Sequence, residues 1–276
     1  AKATFSIGSA SLDWLAPVEL RDVVARDADG EPILTIDRVS TGKSLWQLAR
    51  DSQQLGTITV SGLTWHAHIE ADGNNLQRAF SDTLSGDDDS TSRQLDIEIS
   101  ESHIELNDLG AQRKATIEID HAQVAIATAT AVPLSAQVNC HVLDESSRGA
   151  MQIEYAVQRV DSTDGPAESH AVRATAEDAS LRPLACVLRQ FIGPCDIAGI
   201  ARGELTVQWG SDADTGVTIT GPLRVNQLQL ACPQWMGQDI FQSTNATYVG
   251  SLNIRPATIV ANDAYIELDH GRLQCN

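Results

Sequence analysis

Short stretches of alternating apolar and polar residues follow one another along most of the chain, and turn signals separate them. About fourteen such stretches can be counted, and their two-residue period is typical of half-buried antiparallel strands. The dipeptides Asp29-Gly30, Asp72-Gly73 and Asp164-Gly165 predict turns, and the polar residues 87–92 predict a loop. The pattern predicts a mainly β fold built on a long antiparallel sheet.

Three stretches have helical spacing instead. Apolar residues recur every three or four positions in residues 43–52, in residues 74–84, which open on an asparagine cap, and in residues 182–192. These stretches predict about three short amphipathic helices that cover the sheet.

The two-residue spacing of apolar residues is interrupted in the middle of several stretches. Ile58 and Val60, for example, are followed by Leu63 and Trp65, three positions after Val60 instead of two. The same odd step separates Ile97 and Ile99 from Ile104 and Leu106, Ile117 and Ile119 from Val124 and Ile126, Leu223 and Val225 from Leu228 and Leu230, Ile254 from Ile259, and Leu268 from Leu273.

Two structures explain an odd step, and the pattern leaves both open. A β-bulge absorbs one extra residue, keeps one face of the strand apolar and curls the sheet. A tight turn between short strands of a sandwich gives the same spacing. Repeated bulges would bend and coil a long open sheet.

The chain of 276 residues is long enough for one large domain or two. The pattern divides it into three segments: a β and helix segment over residues 1–93, β repeats over 94–180, and a helix with further β repeats over 181–276. Because the chain begins with Ala1 and stops within a strand-like pattern, we expect it to be an excised piece of a longer protein, truncated at the C-terminus.

Charge argues against one class of partner. The 19 Lys and Arg residues against 37 Asp and Glu residues give a formal charge of −18, and the basic residues are scattered. Nucleic-acid binding requires a basic surface, so a nucleic-acid partner is excluded. An acidic surface of this kind is usually the solvated outer face of a sheet protein.

Motifs of catalysis and metal binding are missing from the sequence: there is no GxSxG, GxGxxG, P-loop or HExxH pattern. His66 and His68 share one strand face, but no cysteine or carboxylate motif completes a metal site. The acidic stretches 27–30 and 212–214 do not continue as calcium loops and are interpreted as turns. We therefore predict a protein that is not an enzyme and has no catalytic residues, metal or cofactor.

The five cysteines lack metal-binding spacing, and their odd number leaves at least one thiol unpaired within the chain. Cys186 and Cys195 are close enough in sequence to close a small disulfide loop, although buried free thiols explain them equally well. Cys140 lies on an apolar strand face and fits a buried thiol best.

The first eighty residues resemble the N-terminal region of the AsmA/TamB group of bacterial envelope proteins. The order of short motifs carries the resemblance: residues 7–14, 17–23 and 27–39, then 44–48, 55–62 and 71–76. Residues 203–209 and 250–254 are similar to the later β repeats of the group.

The resemblance implies a groove-forming β-sheet in the periplasm, belonging to a parent protein that a helix outside this fragment anchors in the inner membrane. It also implies a role in carrying phospholipid or another acyl lipid towards the outer membrane, in outer membrane biogenesis, with possible envelope protein partners. Low aromatic content, 4%, suits a trough without a deep pocket.

Twelve apolar side chains are predicted to line the groove: Ile58, Val60, Leu63, Trp65, Ile97, Ile99, Ile104, Leu106, Ile117, Ile119, Val124 and Ile126. The alternative is a structural or adhesion β-domain in which the same residues form a closed core and the acidic surface meets a protein partner. The two hypotheses differ in whether the apolar face is open to solvent.

Overall fold

The computed structural model describes residues 3–50, 56–70, 73–75, 94–108, 113–127, 132–144, 147–162, 165–183, 185, 195–210, 216–255 and 258–275. Most of these residues lie in strands, so the predicted mainly β fold is confirmed. The strands are β1 (Thr4–Ser11), β2 (Pro17–Arg26), β3 (Pro32–Ser44), β4 (Thr57–Glu70), β5 (Gly73–Asn74), β6 (Gln94–Asp108), β7 (Arg113–Ala127), β8 (Val132–Asp144), β9 (Ser147–Ser162), β10 (Gly165–Ser180), β11 (Asp196–Gly210), β12 (Val217–Ala231), β13 (Phe241–Arg255), β14 (Thr258–Leu268) and β15 (Gly271–Cys275).

The chain divides into two compact units, Ala1–Cys140 and His141–Asn276, and the boundary falls within β8. In the first unit the strand order is β1-β2-β3-β4-β6-β7, with β5 paired to β4. In the second unit β9 to β15 follow one another in sequence order. The predicted division into three segments stays a prediction.

Of the strand pairs whose register is described, all but one are antiparallel. β4 and β6 run parallel, with Ile58 beside Ile97 and Trp65 beside Ile104. Parallel neighbours need a long crossover, which residues 71–93 supply between the two strands. The prediction of a purely antiparallel sheet is therefore wrong at this pair.

The helix prediction for residues 43–52 is confirmed over α1 (Leu45–Arg50). A capping box begins this helix: Ser44 N–H donates to Oε1 of Gln47 at 2.9 Å, and Gln47 N–H donates to Oγ of Ser44 at 3.4 Å. Trp46 is held 6.5 Å from Trp14, between ring centroids, and both rings are largely exposed.

The other two helix predictions, for residues 74–84 and 182–192, fall mostly outside the described residues and stay predictions. The pattern did not predict α2 (Pro233–Met236), which opens on a proline and ends at Gly237 with positive φ. Neither α1 nor α2 is long and apolar enough to cross a membrane.

The second unit has a core cluster of small and aliphatic side chains, formed by Val142, Ala176, Ala179 and Ala201. Ser180, which follows Ala179 and is itself buried, donates a hydrogen bond of 3.0 Å to Asp144. In the first unit the most buried apolar residues are Ala25, Ile33 and Ala67, each at most 1% exposed.

Candidate functional site: an apolar sheet face

All twelve predicted lining residues lie on one face of the first unit. The strand register places them in rows that cross β4, β6 and β7. The rows are Ile58, Ile97 and Val124; Val60, Ile99 and Ala122; Trp65, Ile104 and Ile117; Leu106 and Ala115; and Ile126 with Leu95. Leu63 and Ile119 lie on the same face, on either side of Ser102.

A single line of inserted residues explains how the face stays apolar. Gly62 in β4 and Glu101 in β6 have φ of +65° and +51° and lie side by side, between the pairs Ser61 with Ser100 and Thr64 with His103. Each strand absorbs one extra residue there, so the apolar side chains after the insertion return to the face that they occupied before it.

The line continues through the other strands of the first unit. Asp22 in β2, with φ of +53°, lies between Gly8 in β1 and Asp37 in β3. Asp37 in turn lies opposite Gly62 in β4. Further along the sheet, Asp120 in β7 lies opposite Glu101 in β6. Six strands thus shift at the same level, and we call residues 8, 22, 37, 62, 101 and 120 the bulge line.

The odd steps in the sequence therefore have two origins. The odd steps in β4, β6, β7 and β12 lie within continuous strands. In β12 the inserted residue is Gln227, which has φ of +53°. The remaining two are turns: Ile254 pairs with Ile259 across the β13–β14 connection, and Leu268 and Leu273 flank the β14–β15 turn.

The apolar face is wider than predicted, because β2 and β3 extend it. Val23 and Ile36 continue the row of Leu63, and Leu20 and Val39 continue the row of Val60. The sequence carried the signal for β2, since Val18 and Leu20 are followed by Val23 and Ala25 with the same odd step.

Most of the lining side chains are half-buried. Val60, Leu106 and Ile119 are 7%, 5% and 9% exposed, and the other nine keep more of their surface in contact with solvent. The described strands of the first unit all belong to one sheet. Within the described part of the first unit, no second sheet packs on this face.

The opposite face of the first unit is polar. His66 Nδ1 lies 2.8 Å from a Glu105 carboxylate oxygen, and His103 Nε2 lies 3.0 Å from Oγ1 of Thr64. These contacts give the imidazoles ordinary cross-strand partners. No group of three potential metal ligands occurs among the described residues.

The stretch around Asp27 is a turn, as interpreted from the sequence. Oδ1 of Asp27 accepts hydrogen bonds from the N–H groups of Asp29 and Glu31, at 3.0 and 2.8 Å. Residues 212–214 lie outside the described residues.

The second unit has an apolar face of its own, which the predicted lining did not include. Its register forms four main rows across β9 to β14: Val157, His170, Trp209, Val217 and Ile254; Tyr155, Val172, Val207, Ile219 and Leu252; Met151, Ala176, Gly203, Leu223, Tyr248 and Ile266; and Ala179, Ala201, Val225, Ala246 and Leu268. Aliphatic side chains dominate these rows.

The disulfide differs from the predicted pairing. Cys195 is bonded to Cys232, with 4.3 Å between the Cα atoms, and both residues are buried. Since a cysteine forms one disulfide, the predicted pairing of Cys195 with Cys186 is wrong; Cys186 itself lies outside the described residues. The β11–β12 ladder ends at Asp196 and Ala231, which brings the two flanking cysteines together.

Cys140 is a buried free thiol, as predicted. Burial raises its pKa to about 11, with a smaller contribution from the charge of Asp120.

Comparison with known proteins leaves the chain without a family assignment. No protein-family model matches it. No curated protein matches it either.

Proposed function

We propose that the apolar face of the first unit binds the acyl chains of phospholipids and guides them between the membranes of a bacterial envelope, without catalysis. The observation that carries the proposal is the bulge line. It keeps one side of six strands apolar on both sides of a shift that would otherwise send half of each strand's apolar side chains to the opposite face.

The chemistry of the face suits acyl chains. Ile, Val and Leu dominate the rows, and Trp65 is the one aromatic residue among the twelve lining side chains. Each buried methylene contributes about 0.8 kcal/mol, so a chain of about fifteen methylenes gains on the order of 10 kcal/mol on transfer from water. A smooth aliphatic surface provides this attraction along its length without one deep binding position.

The Cys195–Cys232 bond supports an extracytoplasmic location, because disulfides persist in oxidising compartments such as the periplasm. With the resemblance to the AsmA/TamB group, it leads us to propose a periplasmic segment of a parent protein anchored in the inner membrane by a helix outside this fragment. Phospholipid is the proposed ligand, and other envelope proteins are proposed partners.

Native mass spectrometry of the purified chain, followed by organic extraction and lipid analysis, tests the proposal. The informative variant is Ile99→Asp, which places a carboxylate in the middle of the apolar face. Ser100→Asp is its matched control, because the neighbouring side chain is also half-buried but points to the polar face.

We expect phospholipid to co-purify with the wild-type chain and with Ser100→Asp, and to be lost from Ile99→Asp while circular dichroism shows that the fold survives. A wild-type chain that carries no lipid and takes up no fluorescent fatty acid would falsify the proposal and favour a structural β-domain that binds a protein partner.

A further inference from the structure

Three aromatic rings cluster on the apolar face of the second unit. Tyr155, His170 and Trp209 come from adjacent strands β9, β10 and β11, and all three side chains are half-buried. The imidazole stacks on the indole with 5.4 Å between ring centroids and an interplanar angle of 15°. It also stacks on the phenol at 6.2 Å and 17°.

The cluster differs from the rest of the face in its hydrogen-bonding capacity. Tyr248, the other tyrosine in these rows, donates its O–H to the carbonyl of Ile219 at 2.7 Å and has no proton left for a ligand. By contrast, Nε2 of His170 and Nε1 of Trp209 have no hydrogen-bond partner among the described residues. Neither nitrogen is among the buried polar atoms that lack a partner, so both are accessible to a ligand. Within the described part of the second unit, two polar atoms on a mainly aliphatic face therefore have no hydrogen-bond partner.

The contact with Tyr155 orients the imidazole. Oη of Tyr155 lies 3.0 Å from Nδ1 of His170. Burial raises the pKa of Tyr155, and the charge of Glu168 adds to the effect, so the phenol keeps its proton and can donate it. When Nδ1 accepts that proton in a hydrogen bond, Nε2 of the neutral ring carries the ring's own proton and is a donor.

We propose that Nε2–H of His170 and Nε1–H of Trp209 bind the ester carbonyl oxygens of a diacyl lipid whose chains lie on the aliphatic rows beside them. The two rings that carry these donors are neighbours, with 5.4 Å between their centroids, and a diacyl lipid presents two carbonyl acceptors at the head of its acyl chains. An uncharged acceptor fits a chain with a formal charge of −18 better than an anion does. This inference rests on the proposed function, because it assumes that apolar faces of this protein bind acyl lipids.

A pair of lipids that differ only at the carbonyl tests the inference. A short-chain diacyl phosphatidylcholine and its dialkyl ether analogue, both below their micelle concentrations, are titrated into the full chain, and binding is followed by calorimetry. The ether has the same chain length and headgroup but no carbonyl acceptor. Because each hydrogen bond to the carbonyl contributes modestly, we expect the wild type to bind the ester about three- to tenfold more tightly.

His170→Phe and Trp209→Phe keep an aromatic ring and remove a donor. We expect each variant to lose most of the preference for the ester while its affinity for the ether is unchanged. Tyr155→Phe should reduce the preference as well, since the imidazole proton is then no longer held on Nε2. His121→Phe, on the exposed polar face of the first unit, is the control and should keep the wild-type preference.

The outcomes separate this inference from the proposed function. A wild type that binds ester and ether equally overturns the carbonyl site and leaves acyl-lipid binding intact. Variants that lose both lipids in the same proportion also overturn it, because the rings then act only through packing. A wild type that binds neither lipid overturns both.

Discussion

The backbone N–H of Leu63 in β4 donates a hydrogen bond of 3.1 Å to Oγ of Ser102 in β6. The same hydroxyl donates to the carbonyl of Ser100 at 2.7 Å, and Ser102 is 3% exposed. The bulge line interrupts the ladder between these parallel strands at this point. Ser102 therefore satisfies two backbone groups that the shift would otherwise leave buried without partners.

Ser102→Ala should lower the free energy of unfolding by about 1–3 kcal/mol, because it orphans the Leu63 N–H and the Ser100 carbonyl in a buried position. The measurement is urea denaturation followed by circular dichroism. Ser100→Ala is the control, since it removes a hydroxyl from the polar face of the same strand. Equal midpoints for the two variants would show that the hydroxyl of Ser102 has no structural role.

Gly62 is the position in the bulge line that tolerates a side chain least. Its φ is +65°, and an added Cβ would overlap the carboxylate of Asp37. Gly62→Ala should therefore destabilise the first unit by about 1–3 kcal/mol. Gly42→Ala should be neutral or slightly stabilising, because the nearest atom to its Cβ is 3.9 Å away.

The double variant Asp37→Ala with Gly62→Ala separates the two causes. It removes the carboxylate from the overlap but keeps the Cβ of residue 37, 2.8 Å from the added Cβ, and the unfavourable φ, so it should recover only part of the lost stability. If Gly62→Ala and Gly42→Ala have the same urea midpoint, the strained conformation at Gly62 is not present in solution.

The strands and the shared apolar face could be predicted from the sequence because both follow from local periodicity. If a bulge is assumed between Val60 and Leu63, their three-residue spacing predicts that both side chains lie on one face. The step between Ile254 and Ile259 has the same form and is a turn. Chain spacing does not separate the two cases, because an odd number of residues fits either.

Features that depend on distant residues could not be predicted. The parallel pairing of β4 with β6 depends on where the chain returns after residue 93, and hydrophobic periodicity does not predict that position. The partner of Cys195 depends on the register of β11 against β12, which brings Cys232 beside it from 37 residues away. The placement of His170 beside Trp209 likewise results from register, since neither residue belongs to a motif.

The disulfide should contribute substantially to the stability of the second unit. In the chain-entropy model, a cross-link that closes a loop of this length contributes about 4 kcal/mol. The double variant Cys195→Ala with Cys232→Ala should therefore unfold at clearly lower urea concentration, and reductant should lower the wild-type midpoint but not that of the variant. Peptide mapping that joins Cys195 to Cys186 would contradict the structure.

Cys140 should be unreactive in the folded chain. Thiolates are the nucleophilic form, and burial raises the pKa of this thiol to about 11, so little thiolate is present at pH 8. In a background of Cys186→Ala and Cys275→Ala, iodoacetamide at pH 8 should modify Cys140 only after denaturant is added. Rapid alkylation of the native chain, measured by mass spectrometry, would mean that the thiol is accessible.

Asp269 should make the second unit sensitive to acid. Its carboxylate accepts hydrogen bonds from the N–H of Thr244 and, at 3.0 Å, from the N–H of Asn245. β14 ends at Leu268, so these two N–H groups have no partner in a continued strand. The bond from Thr244 is the largest cause that lowers the pKa of Asp269 below its ordinary value of 3.8, and the Asn245 N–H and the Ser243 hydroxyl add to it.

A carboxyl whose pKa is lower in the folded state stabilises the fold at pH values above its unfolded pKa, and this contribution is lost as the pH falls through the folded pKa. The wild type should therefore be more stable than Asp269→Asn near pH 6, and the difference in urea midpoint should shrink as the pH falls below about 4. Asp29→Asn, which changes the net charge equally in an exposed turn, is the control. A difference between wild type and Asp269→Asn that stays constant from pH 6 to pH 2.5 would show that the charge of Asp269 does not stabilise these amides.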